Sequence, residues 1–413
     1  MNRNITRAVL FAALAMPAAL QPLPAFAKTQ IKVLVAHFSD KTLPTYQAAA
    51  KRFMEKNPDI EVVLEDVSWD NLQQRIATDL AGGTPADIST IANRWVTDYV
   101  KNDIAEPLDS YMTPEFRDEY IESVLQSGSV DGKLYVLPTG GGASRALYYN
   151  KDIFAKAGID GPPKTWDDVV ADAKKVKALN DGTYGFAIQG KEIETDTYWY
   201  FPFMSYGGKI VDNGKSGINT PAGHKAAEIY KTMIDQGLTE PSPTALNRQD
   251  IEALFKQGRV GMLITGQWLY TQIKAEVPAL KYGVAPQPQA TVNVPWGGAD
   301  GFIMFKSSKN KAAAWKFLQD CISDPQTVHE YITSEGFGPV TKAELETVKA
   351  ANDPVVNVFL EETPIARFAP SLPHWEEVVS TMVGTLQQIY LGQIDIDAGL
   401  AAAEKTINGL IAE

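Results

Sequence analysis

The chain has 413 residues, 45% hydrophobic, 21% charged and 10% aromatic, an ordinary globular composition that excludes both a disordered chain and a small stapled scaffold. Against 50 Asp and Glu there are 38 Lys and Arg, for a formal charge of −12, which opposes a broad electrostatic grip on DNA, RNA or an anionic membrane. The single cysteine, Cys321, leaves no intramolecular disulfide framework or Cys-rich zinc site, and its setting AAAWKFLQDC reads as a helix face that packs the thiol.

Residues 1–27 read as an export leader. Arg3 and Arg7 precede the apolar run AVLFAALAMPAAL, and Ala25-Phe26-Ala27 forms a small-x-small cleavage site. Cleavage is expected after Ala27. Pro17, Gln21, Pro22 and Pro24 interrupt the run short of a membrane span, and no cysteine stands at the cleavage point to take a lipid. The expected location is the periplasm.

The next segments alternate between strand and helix patterns. IKVLVAHF is an apolar strand, followed by a helix carrying Tyr46, Ala49, Ala50, Phe53 and Met54 on one face. Ile60, Val62 and Leu64 alternate as in a strand, and Leu72, Ile76 and Leu80 recur at helical spacing up to Gly82-Gly83. ADISTIA is a third short strand. This βαβαβ rhythm predicts an α/β fold with mostly parallel sheets flanked by helices.

The rhythm restarts downstream. Leu134–Leu137 and Arg145–Tyr149 read as strands around the glycine loop Thr139, Gly140, Gly141, Gly142. Thr165 and Asp168 form a capping-box pattern, and Thr220-Pro221 starts a helix that Gly237 ends. VGMLIT and GFIMF are later buried strands, and the C-terminal third is mostly helical. Length and this second α/β unit predict two lobes without a disordered linker, with the natural site in the cleft between them.

LYYNKDIFAKAGIDGPPKTWDDVVADAKKV, from Leu147 to Val176, resembles the extracellular solute-binding proteins of ABC-type sugar importers. The order of GGTPADI, DGKLYVLP, FKQGRVGMLITGQW and GGADGFIMFKSSKNKAAAWKFLQ is similar too. The resemblance spans nearly the whole chain after the leader. It implies a two-lobed periplasmic binding protein fold joined by hinge strands, with lobe one over 28–141 and 287–339 and lobe two over 142–286 and 340–413. It also implies a carbohydrate ligand, delivery to an inner-membrane ABC permease, and no cofactor, metal, nucleic-acid partner or catalysis. A monomer is the simplest partner for a permease.

A saccharide site needs flat aromatics for C–H faces and planar polar groups for hydroxyl edges. By the resemblance, Gly266 and Trp268 form a ligand-contacting turn of lobe two, and Asn93, Arg94 and Trp95 form a contact loop at a strand end. Ser68 and Trp69 resemble another contact loop. Trp296 stands beside Gly297-Gly298, just after the second crossing. His37 ends the first strand as a second donor, and Tyr198 with Trp199 offers an aromatic wall or core. Thr139, Gly140 and the pair Gly297-Gly298 present backbone N–H groups or form tight hinge turns. Arg367 matches a late Arg-x-x-Pro pattern. Arg94 has a fork that suits an acid-substituted sugar as well as a hydroxyl pair.

Two rival readings stay open. One is an exported glycoside hydrolase using acids such as Glu192, Glu194 and Asp196; the other is capture of a non-sugar solute such as a polyamine, iron complex or peptide. His37, His224, His329 and His374 form no short metal-ligand spacing. Gly208–Ser216 partly resembles a phosphate loop, but its glycine spacing is wrong and Asp212-Asn213-Gly214 reads as a turn.

Overall fold

The computed structural model describes residues 28–141, 145–191, 194–370, 372 and 374–412. The expected leader over 1–27, Gly142 of the glycine loop and Glu192 lie outside the described residues. In chain order the elements that build the site are β1 (Thr29–His37), α1 (Thr42–Lys56), β2 (Ile60–Ser68), α2 (Trp69–Ala81), β3 (Ile88–Ala92), α3 (Val96–Lys101), β4 (Val136–Gly140), β5 (Ala146–Asn150), α4 (Trp166–Ala178) and β6 (Tyr184–Phe186). They continue with α5 (Thr195–Ser205), α6 (Pro221–Asp235), α7 (Arg248–Lys256), β7 (Val260–Thr265), α8 (Trp268–Glu276), β8 (Tyr282–Ala285) and β9 (Asp300–Met304). The last are α9 (Pro325–Glu335), α10 (Lys342–Ala351), α11 (Pro354–Glu362), α12 (Trp375–Tyr390) and α13 (Ile396–Ala412).

Two sheets form two bodies. The first has the order β2-β1-β3-β9-β4 and the second β8-β5-β7-β6. In β1 the apolar residues divide by parity, with Ile31, Val33 and Val35 feeding one core and Leu34 and Ala36 another. Helices therefore cover both faces, which is why the strand reads as a continuous apolar run. In the second body β7 is buried at every position, and a single core collects Trp166, Phe186, Trp199, Tyr230 and Met262.

Each sheet is mostly parallel, with one strand reversed. β1 runs parallel to β2 and β3, whereas β9 is antiparallel to β3 and β4, and β5 is antiparallel to β7 and β8. The reason is the crossing itself. Strands that begin within a body end at the cleft, while β5 and β9 enter from the opposite body and so begin there.

Local signals act as the residues suggest. Thr165 and Asp168 make both bonds of a capping box, and Asn150 caps the helix Lys151–Lys156 by accepting from Asp152 and Ile153 N–H. Asn213 and Gly214 both take positive φ between two short antiparallel strands, a hairpin turn rather than a phosphate cradle. Cys321 is buried, which pushes its thiol up to about 12.

The lobe boundaries fall elsewhere than expected. Residues after Gln287 stay on the second body, where Gln289 bridges to Thr165, Thr291 N–H donates to Ser205 O and Trp296 joins that core. The chain reaches the first body at Ala299, whose carbonyl accepts from Asn93 N–H. It then stays through α10, since Lys342 N–H donates to Glu119 O and His329 lies 2.9 Å from Glu344. Packing of α11 against β8 marks the return. Short segments with these few donors and acceptors carry no periodicity that marks which body they join.

The bodies touch where α9 ends beside the start of α8. Gly336 has φ +71°, and a Cβ there would lie 2.6 Å from Thr271 Oγ1 and 2.8 Å from Trp268 Cα. Gly336→Ala is expected to lower stability by about 1–3 kcal/mol in urea unfolding and to enlarge the radius of gyration in small-angle scattering. An unchanged midpoint and radius would mean that this contact does not set the angle between the bodies.

Candidate functional site

Strand ends from both bodies surround a cleft of about 910 Å³. Of the residues expected from sequence, His37, Trp69, Asn93, Arg94, Gly140, Trp268, Trp296, Gly297, Gly298 and Arg367 line it. The ends of β1, β3 and β4 supply His37, Asn93 and Gly140, and the α2 start supplies Trp69. Trp268 opens α8. A two-residue ladder joins Trp296 to Arg367: Arg367 N–H donates to Pro295 O and Gly297 N–H to Arg367 O, both at 2.8 Å. The Gly297 amide is thereby engaged within the protein, whereas Gly298 has open space around its Cα.

Six expected residues fall outside the lining. Ser68 is exposed at the end of β2, away from the cleft. Trp95 is buried beneath Trp69, with ring centroids 5.1 Å apart and planes at 23°, so it supports the aromatic that lines the cleft. Thr139 points into the core because strand side chains alternate. Tyr198 donates to Ile264 O at 2.7 Å, and Trp199 stacks on Phe203 at 4.4 Å, which makes both core residues of α5. Gly266 acts by omission: a Cβ there would lie 2.0 Å from Trp268 Cζ3, so only glycine leaves room for the ring.

Sequence reasoning missed the charged floor. Arg145 Nη2 donates to Glu194 Oε1 at 3.0 Å, Arg248 Nε lies 3.4 Å from Glu194 Oε2, and Arg248 Nη1 lies 3.5 Å from Glu252 Oε1. Glu252 Oε1 also accepts from Thr265 Oγ1 at 2.5 Å and from Trp268 Nε1 at 2.7 Å. The guanidinium carbons of Arg145 and Arg248 sit 4.7 and 4.8 Å from the centre of the Trp268 ring, a cation–π arrangement that fixes the indole plane. Gln287 donates to Arg145 O at 2.5 Å, tying the first crossing to the second. Arg145 carried a signal only as the residue that opens a strand after a glycine loop; Arg248 and Glu252 carried none.

Electrostatics follow from this network. Burial alone would raise the Glu194 carboxyl, but the field of Arg145, Arg248 and Arg94 outweighs it and holds the group below the usual carboxylate range. Asp300, at the start of β9 and in the cleft wall, is pushed up to about 7 by burial despite the same arginines. His37 Nδ1 lies 2.8 Å from Asp66 Oδ2, so one ring nitrogen is already engaged. The cleft thus presents the aromatic groups Trp69, Trp268, Trp296 and Phe337 with planar charged groups already oriented by partners. That set can stack on flat apolar faces and hydrogen-bond to polar edges.

A family model described as bacterial extracellular solute-binding protein matches residues 39–328. Among curated proteins, the chain is 45% identical over 385 residues to a putative binding protein of Brucella abortus, covering 92% of this chain and 93% of that one. It is 25% identical over 369 residues to a maltotriose-binding protein of Pyrococcus abyssi, covering 87% and 77%. Among solved structures, an ABC transporter solute-binding protein of Thermotoga lettingae bound with α-D-tagatose superposes with a TM-score of 0.84 at 24% identity, over 93% of this chain and all of that one. A Listeria monocytogenes ABC substrate-binding protein in complex with cycloalternan gives 0.82 at 23%, over 93% and 99%. At these identities the structural matches establish the fold.

Arg145→Met leaves Glu194 buried with one fewer cation. The expected loss is about 2–4 kcal/mol at pH 7, less than for a wholly unpaired buried charge because Arg248 remains. Since the native pKa of Glu194 is depressed from 4.5, its stabilising contribution is complete above that value and disappears as pH falls through the native pKa. Denaturant unfolding at pH 7 and pH 3 checks this: a gap between parent and variant that fails to narrow at pH 3 would show that the charge pairing is not its source.

Proposed function

The chain belongs to the bacterial extracellular solute-binding protein family, and we propose that it captures a carbohydrate between its two bodies and presents it to a membrane permease of the ABC type. The observation that carries the reading is the cleft lined from both sides by aromatic side chains and planar charged groups, with Trp69 and Phe337 on one body and Trp268 and Trp296 on the other. Sugars offer faces and edges of that kind. The volume of about 910 Å³ lies toward the upper end of the roughly 300–1,000 Å³ spanned by small-molecule sites, which favours an oligosaccharide over a single ring. The names of the Pyrococcus relative and of the Thermotoga and Listeria structures, with maltotriose, tagatose and cycloalternan, support this class.

Capture requires no bond to break. The acids on the cleft floor, Glu194 and Glu252, are held by arginines, and the network orients Trp268 for stacking. A ligand that touches both bodies favours the closed arrangement over the open one by its differential affinity. Closure brings surface residues of the two bodies into one relation, which a permease reads. Action as a monomer in the periplasm, after cleavage of the leader at Ala27, completes the proposal.

Thermal unfolding against neutral sugars, uronates, sugar phosphates and oligosaccharides tests it, because a ligand of the native state raises the melting point by mass action. At least one carbohydrate is expected to raise it and to be recovered unchanged. Truncation of the oriented indole in Trp268→Ala is expected to cost about 2 kcal/mol of binding, roughly 30-fold in Kd, measured by titration calorimetry. Conversion of a sugar to product would revive the hydrolase reading; no shift with any carbohydrate, together with a shift from a polyamine or peptide, would replace the ligand class.

A further inference from the structure

We infer that Asp300, the first residue of β9, is a ligand-binding residue whose carboxylate accepts hydrogen bonds from two neighbouring hydroxyls of one sugar ring; this rests on the carbohydrate reading above. Asp300 lines the cleft and is half-buried. Six acids line that cavity, and the other five are engaged or exposed. Glu194 and Glu252 are held in the floor, Glu276 lies 2.7 Å from Lys256 Nζ, and Glu335 accepts from Ser39 and Thr42 at 3.0 and 2.7 Å. Asp40 is fully exposed beside His37. Among the described residues, no hydrogen bond or ion pair holds the Asp300 carboxyl.

The backbone explains this placement. The chain, coming from the second body, enters the first sheet at Asp300, between Ala92 of β3 and Gly140 of β4. Between Asp300 and Gly301 the register against β4 then slips from Gly140 to Pro138, a bulge that takes up Thr139 and is of the kind that re-aims a side chain at the rim of a sheet. Gly301 has no room for a side chain, since a Cβ there would lie 2.4 Å from Leu137 O. Gly297, Gly298 and Ala299, just before Asp300, also line the cleft, and their small size leaves a ring free to approach the carboxyl.

The surroundings define the donor that it takes. Arg94 after β3, Arg145 before β5 and Arg248 on α7 act on Asp300 through space, opposed by Glu194 before α5, and Tyr331 of α9 also lies within its field. None of these arginines is at ion-pair distance from it, because Arg145 and Arg248 are held by Glu194 and Glu252 and Arg94 faces Glu376. Burial pushes the Asp300 carboxyl up to about 7, as expected of an acid to which the protein supplies no donor. An ionised carboxylate only accepts, through two oxygens, so two adjacent hydroxyls satisfy it with one contact each. An ammonium would also satisfy it, but would sit in the field of three guanidinium groups.

Titration calorimetry at pH 8 on the full chain without its leader tests this with glucose, galactose, tagatose and maltotriose, and with the 2-deoxy, 3-deoxy and 4-deoxy derivatives of glucose. Asp300→Asn keeps the size and removes the charge; it is expected to weaken the sugars that the parent binds by about tenfold or more, while the melting point without sugar stays level or rises, because no partner within the protein loses a bond. Asp300→Ala is expected to do the same and serves should the first variant not fold. A deoxy derivative that the parent binds weakly, for want of one of the two hydroxyls, is expected to lose no more than about twofold further in either variant. Parent affinity is expected to fall about tenfold from pH 8 to pH 6 as the carboxyl protonates, and that of Asp300→Asn to stay nearly level. Parent-like binding of every sugar by both variants overturns the inference and leaves the carbohydrate reading standing. So does an equal loss for glucose and all its deoxy derivatives, which would make Asp300 a contact between the bodies rather than to a ring. Failure of every sugar to bind the folded parent removes this inference together with the carbohydrate reading.

Discussion

An alternating line of charges, Arg145 to Glu194 to Arg248 to Glu252, underlies the whole cleft floor. Its members come from the first crossing, the start of α5 and one face of α7, and it ends on the indole nitrogen of Trp268 at the start of α8. Charges buried this far are tolerated only when each is paired and hydrogen-bonded. The consequence is mutual dependence: Glu194 stays ionised because the arginines are there, and the arginines stay over the indole because the carboxylates hold them. A site assembled in this way is rigid before any ligand arrives, so binding energy is not consumed in orienting its aromatic wall.

That floor exists because of the crossing topology. A chain that leaves one body at the carboxyl end of a strand must enter the next at the cleft, so the first residues of β5 and β9, Arg145 nearby and Asp300, are delivered to the same space as the last residues of β1, β3 and β4. The antiparallel partners β5 and β9 are therefore the price of a two-bodied clamp and also the source of its charged residues. The same geometry brings Arg94 of the first body to Glu376 of α12 in the second, 3.8 Å apart.

Part of this was legible in the residues. Trp268 and Gly266 belong together in a glycine-to-tryptophan turn, and the close approach of the ring to the Gly266 backbone explains why. Trp69 and Trp95 illustrate the limit. Both follow strands at presumed cleft ends, yet one lines the cavity and the other is the ring beneath it, because an exposed and a buried member of a stacked pair have the same local pattern. Tyr198 and Trp199 fail for a related reason. A helix that is apolar all round is buried all round, and no face of it remained for a ligand.

The sequence by itself determined the main strands, the cap at Thr165, the glycine turns and, with one cysteine, the impossibility of an intramolecular disulfide, because each rests on composition or on neighbours within a few positions. Only the tertiary structure decided which arginine meets which carboxylate. Arg145 and Glu194 are 49 positions apart and Trp268 and Glu252 are 16 apart. Neither separation leaves a periodic trace. The lobe boundaries near Ala299 and after α10 were likewise set by a few backbone hydrogen bonds in short connecting segments. Periodicity reports the face an element buries; it carries no information on which distant charge will neutralise another, and in this protein that pairing makes the site.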